Sequence, residues 1–310
     1  MKIFKTVPQI DFMRKRKIAF IVTALLIAVS IVGILVKGIN YGIDFSGGTQ
    51  IQLKFDRTPS LSAIREAFQR ELSTEINAIV FGAAENNELL ITMEQDSVKE
   101  SSGELNAKIG DILGRIYPDF TADKGIRRVE TVGPKVGSEL KTKSQWAAFY
   151  AFIGILVYIG IRFKFRYGIG AVVAIFHDVI ITMGIFILFE KEFTLTIVAA
   201  ILTIIGYSLN DTIVVFDRVR ENAARFPKRK LEEIINLSIN ESLSRTILTS
   251  LTTFLVVLVL FLLGGDIIHD FSFAMLIGLV VGTYSSVFVA SPVVMALDSV
   301  KWSDLRKRTR

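Results

Sequence analysis

Six stretches nearly free of charge constrain this chain more than anything else in it: Ile18–Val36, Trp146–Ile161, Tyr167–Phe189, Phe193–Phe216, Thr246–Gly265 and Phe271–Leu297. Crossing about 30 Å of hydrocarbon takes roughly 20 apolar residues wound as a helix. Lipid offers no water to backbone N–H and C=O groups, so such runs must close their hydrogen bonds internally as helices. Trp146–Ile161 is short, but Arg162 and Lys164 can snorkel from its end to the interface. A mean hydropathy of +0.49 agrees with a membrane class. The predicted fold is a multi-pass α-helical membrane protein with six transmembrane helices and a polar insert between the first and second.

Charge placement sets the predicted orientation. Six crossings leave both termini on one side, where Lys2, Lys5 and Arg14–Lys17 join Arg306, Lys307, Arg308 and Arg310. The same side receives Arg162, Lys164 and Arg166, then Arg218, Arg220, Arg225 and Lys228–Lys230. The opposite short loops hold Glu190, Lys191, Glu192, Asp266 and Asp270. By the positive-inside rule both termini are cytoplasmic and the insert is extracytoplasmic. A net charge of +6 would suit nucleic acid, yet residues 38–143 hold 13 Lys/Arg against 16 Asp/Glu. The basic excess therefore reports topology, and nucleic acid is not expected as a partner. Ile18–Val36 is long for a signal-peptide core, and Val36-Lys37-Gly38-Ile39-Asn40 offers no small-x-small cleavage site, so a retained helix is expected. With no cysteine in the chain, disulfides and thiolate sites are excluded.

The insert alternates like a half-buried strand over Thr49–Phe55. Leu61, Ile64, Ala67, Phe68 and Leu72 then keep a helical period. Ile76–Phe81 and Glu88–Met93 read as strands around a turn at Glu85-Asn86-Asn87. Leu105, Ile109, Ile112, Leu113 and Ile116 mark a second helix that Pro118 closes, and Ile126–Val132 gives a last strand. The order βαββαβ predicts a ferredoxin-like α+β domain with two helices on one sheet face. The insert has no His or Cys, and Gly47-Gly48 is its only glycine-rich element. That pair suits a tight turn, and the domain suits binding or handling better than catalysis.

Asp211 lies inside the fourth apolar stretch, in Gly206-Tyr207-Ser208-Leu209-Asn210-Asp211. An Asp at the centre of a membrane helix costs roughly 2.5–3.5 kcal/mol on the insertion scale, so it pairs, faces internal water or moves charge. Tyr207, Ser208 and Asp211 fall within one turn, and Asp217 follows about 9 Å along the helix. A carboxyl pulled one way by burial and the other by a cation can load and release a proton as a bundle rearranges. Mid-helix His177 and Asp178 fit either a titrating pair or an interhelical hydrogen-bond role. His177 and His269 are the only histidines, so no metal or other cofactor is expected. Thr246, Thr249, Ser250, Thr252 and Thr253 could hold water for a relay or bond their own helix carbonyls. Asp217 and Glu221 read as interface charges. Leu231, Ile234, Ile235, Ile239 and Leu243 after Lys228–Lys230 read as an amphipathic helix on the inner leaflet, or as a docking surface. Gly278 and Gly282, four apart, permit close helix approach.

Several of these segments resemble the SecD/SecF protein-export family. Asn40-Tyr-Gly-Ile-Asp-Phe-Ser-Gly-Gly-Thr49 is similar to its Gly-x-Asp-Phe-x-Gly-Gly-Thr signature. Asp11-Phe12-Met13, Val132-Gly-Pro-Lys-Val-Gly137, His177-Asp178-Val179, Gly206-Tyr-Ser-Leu-Asn-Asp-Thr212 and Arg245-Thr246 follow in order and spacing. The resemblance implies an auxiliary subunit of the Sec preprotein translocase in the bacterial inner membrane, related to resistance–nodulation–division transporters. It implies a separate SecD chain as partner, a SecYEG channel, a YidC-type insertase and a translocating preprotein as further partners, and the proton gradient as energy source. Asp211 falls on the family's transmembrane carboxylate and Arg245 on its partner arginine; Arg245 suits that role because a guanidinium stays charged.

The expected relay set is Asp211, Arg245, Asn210, Ser208, His177 and Asp178. The expected division is a cytoplasmic tail at 1–17, a first crossing at 18–37 and the α+β domain at 38–144. Five crossings follow at 145–298, with a cytoplasmic amphipathic loop at 218–245, and then a tail at 299–310. Competing functions are one half of a proton-coupled lipid or drug efflux transporter and a non-energised scaffold of the translocon. An enzyme is the weakest expectation, since no nucleophile–base set or nucleotide loop is present.

Overall fold

Every apolar stretch becomes a helix, and most helices outrun their stretch. The computed structural model describes residues 6–72, 76–81, 84–93 and 102–299, so the expected cations at Lys2, Lys5 and Arg306–Arg310 lie outside the described residues. In chain order the elements are α1 (Arg16–Lys37), α2 (Ile43–Ser46), β1 (Gly48–Lys54), α3 (Leu61–Leu72), β2 (Ile76–Phe81), β3 (Glu88–Met93), α4 (Ser102–Ile116), α5 (Ala122–Gly125) and β4 (Ile126–Val132). Then come α6 (Pro134–Arg162), α7 (Phe165–Leu188), α8 (Leu195–Arg225), α9 (Leu231–Leu263), α10 (Asp266–Ser285), a π-turn (Ser286–Ala290) and α11 (Ser291–Ser299). Among the described residues, six helical segments are long and apolar enough to cross a membrane: Met13–Lys37, Pro134–Arg162, Phe165–Leu188, Leu195–Arg225, Leu231–Leu263 and Ile268–Asp298. The chain is a multi-pass membrane protein.

Two compact units divide the chain, one formed by Tyr41–Trp146 with Glu192–Leu195 and the other by the remaining segments. In the helical unit, α8 runs unbroken to Arg225 and stops ahead of Pro227, whose ring disfavours helical geometry in the residue before it. Helix α9 carries Glu232 and Glu233 in its first turn, where the helix dipole favours anions. Residues 231–245 are thus the first turns of a 33-residue helix, not a separate helix lying on a leaflet. Their apolar face is already taken: Ile234, Ile235 and Ile239 are buried in one cluster with Met13, Tyr167, Phe216 and Val219. The docking reading finds its occupant within the chain. The Asn240 side chain bonds both the N–H and the C=O of Ile10, and the Asn236 side-chain Oδ1 accepts from the Met13 N–H at 3.0 Å.

Glycines set how closely α8 and α10 approach. A Cβ at Gly278 would stand 2.5 Å from Ile204, and one at Gly282 would stand 3.0 Å from the Ser208 Cβ. The helix following α10 widens into the π-turn just before Pro292, which has no N–H for the preceding turn and crowds its carbonyl. The Ser291 hydroxyl donates to the Ser286 carbonyl in that widened turn, at 3.0 Å.

The second unit is a four-stranded antiparallel sheet ordered β2-β3-β1-β4. This is the split-βαβ order that the βαββαβ pattern predicts. Ile51, Leu53, Leu89, Ile91 and Met93 are buried against Ile64 and Phe68 of α3 and Ile109 and Leu113 of α4. Gln50, Gln52 and Thr92 alternate with them and stay partly exposed. Gly47 and Gly48 both have positive φ, and a Cβ at Gly48 would lie 2.5 Å from the Met93 carbonyl oxygen. Only glycine fits that entry into β1 without strain. The segment Glu192–Leu195 belongs to this unit: the Gly42 N–H donates to Phe193 O at 3.1 Å and the Leu195 N–H to the Asp44 carboxylate at 2.9 Å.

Candidate functional site

Among the described residues, two carboxylates are buried in the helical unit, and hydroxyls bond both. Asp211 sits on the buried face of α8, in register with Ile204, Ser208, Val215 and Val219. It is 5% exposed. Its Oδ1 accepts from Thr246 of α9 at 2.7 Å, and its Oδ2 accepts from Ser286 of the π-turn at 2.5 Å. Asp178 on α7 is 1% exposed. Its Oδ2 accepts from Ser208 of α8 at 2.5 Å and from Ser285 of α10 at 2.8 Å, while His177 Nδ1 lies 2.7 Å from Oδ1. Hydrogen bonds to a charged group contribute about 1.5–3 kcal/mol each, which is how an apolar bundle tolerates such residues. The approach of α8 to α10 at Gly282 lets Ser208 and Ser285 reach the same oxygen.

The predicted set therefore divides. Ser208, His177 and Asp178 are buried, with Ser208 and His177 hydrogen-bonded to Asp178, and buried Asp211 lies three residues beyond Ser208 on α8. Asn210 and Arg245 lie on exposed faces, and no ion pair joins Arg245 to Asp211 among the described residues. The α9 residue that reaches Asp211 is its neighbour Thr246, because Ile235, Ile239, Ser242 and Thr246 form the buried face and consecutive helical residues differ by about 100°. Thr249 and Thr252 bond carbonyls of their own helix. Ser250 instead reaches Thr283 at 2.9 Å.

Serines 285 and 286 belong to the site although sequence reading passed over them. Their one signal is a polar pair inside the last apolar stretch, shortly before Pro292. Buried polar atoms without a hydrogen-bond partner among the described residues cluster on the same helices: His177 Nε2, Thr182 Oγ1, Tyr207 OH and Thr212 Oγ1. Asp217 and Glu221 make ion pairs with arginines and take no part in the buried carboxylate set. Asp217 pairs with Arg162 and Arg220, and Glu221 with Arg218. His269 lies in the first turn of α10, not in a loop, with Nδ1 3.3 Å from Asp270 Oδ1.

The family model for the C-terminal part of the protein export membrane proteins SecD and SecF matches residues 113–300, and that for the SecD/SecF GG motif matches residues 32–59. The chain belongs to the SecD/SecF family. Curated relatives include the protein translocase subunit SecF of Calditerrivibrio nitroreducens, 45% identical over 304 residues that cover 97% of this chain and 98% of the relative. The same subunit of Magnetococcus marinus is 45% identical over 300 residues, 96% of this chain and 95% of the relative. Among solved structures, SecDF of Thermus thermophilus, described as a translocon-associated membrane protein, superposes with a TM-score of 0.83 at 34% identity over 96% of this chain. SecDF in a super-membrane-facing form gives a TM-score of 0.71 at 33% identity over 99% of this chain. This chain spans about two fifths of those SecDF chains, 40% and 41%. The GG motif match contains Gly47-Gly48, whose positive φ values open β1.

Proposed function

We propose that this chain is the SecF-type auxiliary subunit of a bacterial protein-export machine, working with a separate SecD chain in the inner membrane. It draws on the proton gradient to assist passage of a preprotein through a SecYEG channel, with a YidC-type insertase as a further neighbour. Its work is conformational, with no hydrolytic step. Both termini face the cytoplasm and the α+β unit faces outward, where it handles the emerging polypeptide. The match to SecF subunits over nearly their full length supports the export role.

The observation that carries the proton-coupling part is Asp211, buried and hydrogen-bonded by Thr246 of α9 and Ser286 of the π-turn. Ionised, it needs those donors; protonated, it releases at least one of them, since an acid O–H must itself donate. Loading a proton therefore reverses or breaks one of the bonds that tie Asp211 to α9 and the π-turn, and a bundle with two packings converts that change into movement. Asp178 and His177 give a second polar station, on α7. Arg245 and Asn210, on exposed faces, are assigned to the side that meets the SecD half, where Arg245 completes the charge balance only in the assembled pair.

The test is Asp211→Asn in cells and in reconstituted vesicles. The variant should assemble with its partner and lose proton-dependent stimulation of export. Normal stimulation by the variant would remove the proton role and leave a passive scaffold as the better account. Loss of ligand efflux in place of export would favour the transporter alternative.

A further inference from the structure

Ser285 and Ser286 are consecutive, yet each donates to a different buried carboxylate on a different helix. Each hydroxyl also has a second acceptor within reach: Gly282 O lies 3.0 Å from Ser285 Oγ, and Thr283 O lies 3.0 Å from Ser286 Oγ. A hydroxyl has one proton and serves one acceptor fully at a time. We propose that this serine pair couples the protonation states of Asp178 and Asp211. The inference rests on the proton reading of Asp211 and adds a second carboxylate and the element that links the two.

The exchange is a hydrogen-bond switch with no change in the hydroxyl protons themselves. When Asp211 is ionised, Ser286 donates to it. When Asp211 takes up a proton, its O–H donates to Ser286 Oγ, and the serine turns its own proton to Thr283 O. Ser285 repeats the switch between Asp178 and Gly282 O. The two receiving carbonyls are adjacent on the last turn of α10, and the two serines share one peptide group at the entry to the π-turn. A swing by one hydroxyl therefore shifts the backbone that aims the other. A π-turn suits this role, because its widened ladder is the least fixed part of the helix.

Titratable and charged groups around the pair are few among the described residues. Asp178 has His177 on its own helix, with Tyr284 of α10 stacked on that imidazole at 6.1 Å between ring centres. Ser208 of α8 completes its surroundings with a hydroxyl. Near Asp211, α9 presents Thr246 with Arg245 on the exposed flank, and α8 carries Tyr207 and Asp217 one to two turns away.

The test is infrared difference spectroscopy of the full chain reconstituted with its partner, following the protonated carboxyl band that Asp211→Asn deletes. Asp178→Asn should move the titration midpoint of that band by about one pH unit, the size expected of interacting sites. In a Ser285→Ala/Ser286→Ala background the same replacement should move it by less than half as much. Ser286→Cys, nearly the same size but a weak donor, should also reduce the shift and guards against a folding defect in the double variant. An equal shift with and without the serines would overturn this inference alone. A band absent at every pH would overturn both it and the proton reading of Asp211.

Discussion

At Asp211 the two donors are hydroxyls, so their removal should be felt as an unsatisfied buried carboxylate. Thr246→Val keeps the shape and deletes one donor at 2.7 Å. It should lower the stability of the purified chain by about 1–3 kcal/mol in detergent unfolding, whereas Thr246→Ser should cost less. Arg245→Ala, on an exposed face, should stay within about 0.5 kcal/mol in the same assay. The reverse ranking would mean that the arginine, not the threonine, faces the acid. Outside the spans, Glu190 accepts from Lys37 Nζ at 2.6 Å, and that bond and charge hold its carboxyl below the usual glutamate range. The pair's stabilising effect is thus present above the ordinary glutamate value and is lost as pH falls through the lowered one. A residue-specific titration of Glu190 should show the low midpoint, and Lys37→Met or high salt should return it toward normal. The sequence revealed Asp211, Asp178 and His177 because charge in an apolar run is conspicuous. It did not reveal Ser285 or Ser286, since a hydroxyl pair gains meaning only from two other helices. The assignment of Arg245 rests on a resemblance, whereas the contact of Thr246 with Asp211 became visible only once α9 was packed against α8.

The helical elements show where local pattern suffices and where it does not. Length and hydropathy announce all six crossings, and the alternation of Ile51, Leu53 and Phe55 announces β1, because each signal is written within its own segment. The start of α9 is different. Its amphipathic face fits a lipid surface or a protein surface equally well, and only the clustering of Ile234, Ile235 and Ile239 with Phe216 and Val219 decides it. Two predictions belong to this scale. Asn240→Leu should raise hydrogen exchange at the Ile10 amide while the centres of α7 and α8 stay protected, because Asn240 holds the Ile10 backbone at 3.0 and 2.8 Å. Unchanged exchange would mean that Asn236 and the burial of Met13 suffice to anchor the segment. Gly278→Val should force α8 and α10 apart at Ile204, costing about 1–3 kcal/mol in the same unfolding assay. Equal stability would show that Ile204 can turn aside freely.

For the whole molecule, the division into two units has an energetic consequence. The α+β unit has its own core, with Ile51, Ile64, Phe68, Ile91 and Ile109 fully buried in one cluster separate from that of the helices. Units with separate cores open as separate cooperative blocks. Phe68 is among the largest fully buried side chains there, so Phe68→Ala should cost about 3–5 kcal/mol of that unit's stability. Hydrogen exchange on the intact chain should then show lost protection across β1, β2, β3 and α4. It should also show it at the Gly42 N–H, which donates to Phe193 O, because Glu192–Leu195 belongs to the same unit although it connects α7 to α8. Amides around Asp178 and Asp211 should keep their wild-type protection. Loss of protection confined to the strands would show that Glu192–Leu195 is not part of the cooperative block. Loss that reached Asp211 would show that the two cores unfold as one cooperative block.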